Sequence, residues 1–131
     1  MLQVPPNCDL TLGLTCVDKS SPGVTTWAMR ADERMTNPAG LVQGGFLAAM
    51  ADSAMGASAV TALAGRRASV VNTDLSVSLV RAVRPGEDLT CVARVVRAGR
   101  SVTFVEARID NGDGDLVATA RSSFVVRDRP E

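Results

Sequence analysis

The chain has 131 residues, enough for one domain that buries a core without disulfide or metal staples. Hydrophobic residues make up 46% and charged residues 21%, and 14 basic residues balance 14 acidic ones with no block of like sign, so the sequence carries neither a nucleic-acid nor a membrane-surface footprint. Histidine and tyrosine are absent, which excludes a Ser-His-Asp or Cys-His mechanism within the chain and any histidine-ligated zinc site.

Three scattered cysteines, Cys8, Cys16 and Cys91, show neither metal-ligand spacing nor a disulfide framework. They read as small buried hydrophobes in a reducing compartment. Pro5 and Pro6 stand where the apolar part of a signal peptide would lie. The longest apolar run, residues 46–64, is interrupted by Asp52, Ser53, Gly56, Ser58 and Thr61, too polar for a membrane span. The expectation is a soluble, cytoplasmic protein forming a single domain over 1–131, with an irregular arm at 1–9 and a polar tail at 127–131.

Taken in order, residues 10–17 alternate Leu10, Leu12, Leu14 and Cys16 with Thr11, Gly13 and Thr15, which predicts a half-buried strand. A turn at 20–23 (Ser-Ser-Pro-Gly) leads into a second strand over 24–31 around Trp27 and Met29, completing a hairpin. Residues 32–42 hold charges, Asn37-Pro38 and Gly40, and read as loop. Residues 46–64 are dense in Ala, Leu and Met, good helix formers, and Gly65 followed by Arg66 and Arg67 supplies a stop. This helix is apolar nearly all round, which predicts that other elements surround it.

Four strands follow. Residues 69–80 alternate, with Val71, Thr73, Leu75, Val77 and Leu79 expected on one face and Asn72, Asp74, Ser76 and Ser78 on the other. The turn at Arg84-Pro85-Gly86-Glu87 opens a strand over 89–97 whose Leu89, Cys91, Ala93 and Val95 face one way. Ala98-Gly99-Arg100 turns the chain into 101–110, and Asn111-Gly112-Asp113-Gly114, a strong hairpin signal, leads into 116–126. The order is β-β-α-β-β-β-β, an α+β domain whose antiparallel sheet covers one hydrophobic helix.

Chemistry concentrates at residues 37–65. A glycine pair, Gly44-Gly45, delivers backbone N–H groups at a helix start, where a negatively charged or polarised oxygen is well received. Asp52 is the one acid on the apolar helix behind it, and a carboxylate there needs a reason. Asp52 lies eight positions after Gly44, roughly 12 Å of helical rise. An oxyanion donor and a base or nucleophile must both reach one carbonyl within about 3–3.5 Å. One copy of the chain cannot supply both. If both act, Gly44 of one chain works with Asp52 of another, and two-fold pairing of helices would form the site twice per dimer.

The pattern Asn37-x2-Gly40-x2-Gln43-Gly44-Gly45-x6-Asp52 resembles hotdog-fold acyl-CoA thioesterases of the phenylacetate-degradation (PaaI-like) type. So do Asn72-Thr73-Asp74-Leu75-Ser76-Val77-Ser78, the turn at 84–87 and Gly99-Arg100-Ser101, in the same order, over about residues 10 to 126. The resemblance implies a hotdog fold, a long helix wrapped by a curved antiparallel sheet, in a homodimer with shared sites whose dimers pair into a homotetramer. It implies that Asp52 acts as general base or nucleophile toward a thioester, that the Gly44 N–H polarises the carbonyl, and that Asn37 helps hold water or thioester. Gly45, Asn72 and Thr73 would line the thioester pocket, and Arg97 and Arg100 lie at turns where a nucleotide phosphate could be met.

One position departs from the family: Gln43 stands where histidine is usual. Glutamine donates and accepts hydrogen bonds but shuttles no proton near neutral pH. The function expected is hydrolysis of a small, medium or aromatic acyl-CoA to free acid and CoA, with no metal and no cofactor beyond the CoA of the substrate. The alternative is a non-catalytic hotdog protein that binds acyl-CoA or an acyl chain.

Overall fold

The computed structural model describes residues 4–130. Its elements run α1 (Asn7–Leu12), β1 (Thr15–Ser21), β2 (Val24–Arg30), a 3₁₀ turn (Glu33–Met35), α2 (Gly44–Thr61), β3 (Ala68–Leu79), β4 (Asp88–Ala98), β5 (Val102–Asp110) and β6 (Leu116–Asp128). The six strands form one antiparallel sheet in the order β1-β2-β4-β5-β6-β3. The sheet curves around α2, the hotdog arrangement expected from the sequence.

The core lies between helix and sheet. Leu47, Met50, Ala51, Ala54, Met55, Ser58 and Ala59 of α2 are buried, at the three- and four-residue spacing of one helical face. They meet Met29, Leu89, Cys91, Ala93, Val105, Ile109, Ala118 and Phe124 from the strands. Alternation in β5, where Thr103, Val105, Ala107 and Ile109 are buried and their neighbours exposed, sets which side faces the helix. The expectation that α2 is surrounded is corrected: Gly45 and Val60 are exposed and Ala48, Asp52 and Ser53 only half-buried, so a stripe of small, mostly apolar residues faces outward. Among the described residues no helix is long and apolar enough to cross a membrane.

The N-terminal strand expected over 10–17 is also corrected. Asn7–Leu12 is helical, and Gly13 ends it in the left-handed conformation at φ 68°. The Leu14 N–H returns to the Asp9 carbonyl at 2.9 Å, so Leu12 and Leu14 are buried by a helix end where strand alternation would serve equally well. Residues 7–9 of the supposed irregular arm therefore belong to α1, while 1–3 and Glu131 lie outside the described residues. Strand β6 extends to Asp128, into the expected polar tail.

Helix α2 ends at Thr61, before Gly65. The Thr61 hydroxyl donates to the Ser58 carbonyl and accepts the Gly23 N–H, both at 2.9 Å, which ties the helix end to the β1–β2 turn. Of the cysteines, Cys91 is buried, with burial and nearby Asp110 pushing its thiol up to about 12. Cys8 and Cys16 are exposed, on α1 and on edge strand β1, contrary to the buried reading.

Strand β3 holds the most consequential difference. Asn72 pairs with Phe124 but Asp74 pairs with Ser123, which leaves Thr73 as an extra residue in a β-bulge. Residues directly opposite each other share a face. Asn72, opposite buried Phe124, and Leu75, opposite buried Ser122, therefore both turn toward the helix. The expected division of 69–80 into one apolar and one polar face breaks at Thr73.

Candidate active site

Asp52 sits midway along α2, half-buried, and the Asn72 Nδ2 amide donates to its Oδ1 at 2.9 Å. Burial raises the Asp52 carboxyl above the usual aspartate range, and the hydrogen bond from Asn72 works against that rise. Neither influence is a cation, so the carboxylate keeps more basicity than a salt-bridged one would.

At the other end of the same helix, α2 starts at Gly44 directly after Gln43, whose backbone is extended (φ −65°, ψ 135°) and whose side chain makes no capping hydrogen bond. The Gln43 N–H bonds the Met35 carbonyl at 2.8 Å and its carbonyl accepts the Phe46 N–H at 3.0 Å. The N–H groups of Gly44 and Gly45 are thus left at a helix N-terminus with no side-chain cap and no first-turn acid. Gln43 and Gly45 are exposed, and a β-carbon at Gly45 would meet open space. A β-carbon at Gly44 would overlap Cδ1 of Leu79, the free end of an exposed side chain of β3, so a larger residue there would push Leu79 aside.

Asn37 folds its own loop. Its Oδ1 accepts the N–H groups of Ala39 at 3.0 Å and Leu41 at 3.2 Å, an Asx-type turn that leaves Nδ2 for a ligand. Asn37 and Gly44 line a cleft of about 280 Å³ with Leu41, Leu47, Leu79 and Arg81. Alternation in the sequence places Leu79 only on an apolar strand face, and no motif marks Leu79 or Arg81 as site residues. A larger open depression of about 800 Å³ lies on the opposite side of the sheet among Ser76, Arg94, Glu106, Arg108 and Arg121, and includes no candidate site residue.

The structure therefore brings the candidates together in two groups: Asn37 with Gly44 at the helix start, and Asp52 with Asn72 mid-helix. Both glycine and acid are helical residues of α2, so the eight-residue rise between them holds. Thr73 is exposed in the bulge, with its hydroxyl 3.4 Å from the Ser123 carbonyl. Arg97 is exposed beside a second bulge, between Val95 and Arg97 of β4. Arg100 borders a small pocket near the C-terminal end of α2 with Leu63, Arg66 and Thr103, and its backbone carbonyl accepts from Arg66 at 2.8 Å. Neither arginine reaches the two groups.

A curved sheet around one helix, with a half-buried carboxylate on the helix and uncapped N–H groups at its start, can serve as a scaffold for acyl transfer at a carbonyl. Residues 39–118 match the Thioesterase superfamily, and the chain belongs to that family of thioester hydrolases. Acyl-coenzyme A thioesterase 13 of Homo sapiens is 27% identical over 117 residues, which is 88% of this chain and 81% of that protein. The crystal structure of a phenylacetic acid degradation-related protein of Ralstonia eutropha JMP134 superposes with a TM-score of 0.83 at 34% identity, covering 95% of this chain and 92% of the other. The PaaI protein of the E. coli phenylacetic acid degradation operon superposes at 0.85 with 21% identity, covering 92% and 84%, a likeness of fold. The PaaI-like resemblance read from residues 37–52 and 72–101 stands.

Proposed function

We propose that this protein is an acyl-CoA thioesterase acting on small, medium or aromatic acyl-CoA, with Asp52 as the base. The observation that carries this reading is Asp52 itself, a half-buried carboxylate fixed by a neutral amide and, among the described residues, paired with no cation, on a helix with no other charged residue. Asp52 takes a proton from water, and the oxygen of that water bonds to the thioester carbonyl carbon. Charge builds on the carbonyl oxygen, where the Gly44 N–H and the helix dipole receive it. The C–S bond then breaks, and the CoA thiolate leaves with the proton that Asp52 had taken. Asn37 Nδ2 holds the water or the thioester. Exposed Gln43 supplies hydrogen bonds at the mouth and no proton transfer. Gly45 and Thr73 border the substrate, Arg97 and Arg100 meet the nucleotide phosphates, and no metal or further cofactor enters the reaction.

The separation of Gly44 from Asp52 supports a homodimer with shared sites. Strand β3 is an edge strand of 12 residues paired on one side by β6, and it exposes Val71, Leu75 and Leu79. A long apolar edge of this kind is a template for another chain. A second copy on it would also cover the open stripe of α2, and pairing of such dimers gives the tetramer.

Release of thiol from a panel of acyl-CoAs tests the activity, with Asp52→Asn expected to lose at least about 10²-fold in kcat. Tight binding with no thiol release from any substrate would favour a non-catalytic acyl-CoA binder. Mixing tests the shared site. Asp52→Asn and Gly44→Pro, in which proline removes the N–H at the first helical position and the exposed Leu79 side chain turns aside for the ring, should each be inactive. Co-folded in equal amounts, they should regain about a quarter of wild-type activity, because half the dimers are mixed and each mixed dimer keeps one intact site. No recovery in verified mixed dimers would place the whole site within one chain.

A further inference from the structure

Resting on the thioesterase reading, we infer that Asn72 is the positioning residue for Asp52, and that the bulge at Thr73, pinned from the far side of the sheet by Asp74, aims it. Asn72 and Leu75 are three residues apart, so a regular strand would send them to opposite faces. If Asn72 faced the helix, Leu75, Val77 and Leu79 would face away; if those three faced the helix, Asn72 would not. The extra residue at Thr73 resolves the conflict, since Asn72 stands opposite Phe124 and Leu75 opposite Ser122, both on the helix side.

Three side-chain bonds hold this irregularity in place. Asp74 Oδ1 accepts the Ser123 N–H at 2.7 Å, Ser122 Oγ donates to the Asp74 carbonyl at 2.7 Å, and Thr73 Oγ1 lies 3.4 Å from the Ser123 carbonyl. The outcome is a single directed contact, Asn72 Nδ2 to Asp52 Oδ1 at 2.9 Å. An amide suits this task because it is neutral. It fixes the rotation of the carboxylate and leaves Oδ2 to take a proton from water. A lysine or arginine there would suppress the basicity that the reaction needs. Among the described residues no ionisable group of α1 or of β1 to β6 acts on Asp52; burial and the Asn72 amide are its influences.

The test compares pH–rate profiles of the wild-type oligomer with Asn72→Ala and Asn72→Asp, with thermal unfolding confirming the fold. Asn72→Ala should lower kcat by about 10-fold with KM nearly unchanged, and move the acid limb of kcat/KM to higher pH as the bond to the ionised form is lost. Asn72→Asp, nearly isosteric, should move that limb further, since two adjoining carboxylates share one proton. If Asn72→Ala does not fold, Asn72→Asp carries the test. An unmoved acid limb and unchanged kcat in these variants, with Asp52→Asn inactive, would overturn the inference. Turnover retained in Asp52→Asn would instead overturn the thioesterase reading beneath it.

Discussion

Valine in place of Thr25 should destabilise the fold more than alanine in place of Ser58, although the two hydroxyls share one hydrogen bond. Both residues are fully buried where α2 rests on β2 and β4. Trp27 Nε1 donates to Thr25 Oγ1 at 2.9 Å, Thr25 and Ser58 hydroxyls lie 2.7 Å apart, and Ser58 Oγ donates to the Ala93 carbonyl at 2.8 Å. Ser58 has one proton and spends it on Ala93, so the Thr25 proton runs to Ser58, and the Ala54 carbonyl at 3.2 Å is its second acceptor. Ser58→Ala removes two bonds, yet Thr25 can still donate to Ala54 and accept from Trp27. Two neutral bonds are worth about 1–2 kcal/mol, or roughly 4–8 °C in Tm for a chain of this length. Thr25→Val keeps the volume but strands the indole N–H of a largely buried tryptophan, which brings the loss to about 2–4 kcal/mol. Urea and thermal unfolding of both variants give the comparison, with thiol release at low temperature expected to remain near wild type. Equal losses, or a smaller loss for Thr25→Val, would refute the directed chain from Trp27 to Ala93.

Asn37→Asp keeps the oxygen that forms the loop and deletes the Nδ2 donor, so Tm should hold while kcat/KM falls by about 10-fold or more if that donor meets the substrate. Gly44→Ala should displace the exposed Leu79 side chain within the cleft and lower activity with Tm near wild type, and Leu79→Ala should restore activity in the double variant; thiol release and thermal unfolding of the three proteins read the coupling. For pH dependence, the folded-state pKa of Asp52 is raised, so the folded chain holds this proton more tightly than the unfolded chain does. The associated stability is complete below the ordinary aspartate range and is lost as pH rises through the folded value, while activity, which needs the base, rises over the same window. At neutral pH, Asp52→Asn should therefore unfold at a temperature no lower than wild type even as turnover disappears.

The helix, the sheet and the separation of Gly44 from Asp52 were legible because each rests on a local pattern: composition over 46–64, turns at 84–87, 98–100 and 111–114, and a fixed rise per residue. The segment around Leu12 and Leu14 misled because a short helix ending at Gly13 buries the same two residues that an alternating strand would. Cys16 misled because burial depends on strand position in the sheet, and β1 is an edge. Leu79 and Arg81 were beyond reach, since their place in the Gly44 cleft depends on how β3 crosses the start of α2. The bulge at Thr73 also left no mark on the polar–apolar alternation, which reads smoothly through it. Yet that one residue decides whether Asn72 meets Asp52.

Asp74 gives the sharpest consequence of that arrangement, because it lies exposed on the opposite side of the sheet from Asp52, the carboxylate it would influence. Its carboxylate receives the Ser123 N–H, a charge-assisted bond of 2.7 Å that fixes the strand immediately after the bulge. In Asp74→Ala, water can take over the exposed N–H, so stability should fall by only about 0.5–1.5 kcal/mol. The bulge, no longer pinned on that side, is free to let Asn72 swing, and a small misplacement of a catalytic group lowers turnover far more than it lowers stability. The expected result is a several-fold loss in kcat with KM nearly unchanged, and an acid limb displaced in the same direction as in Asn72→Ala. Ser76→Ala, on the same face two residues further along β3, should do neither. Identical profiles for Asp74→Ala, Ser76→Ala and wild type would mean that the bulge holds its shape without Asp74, and that the aim of Asn72 is set by the packing of Phe124 against the helix instead.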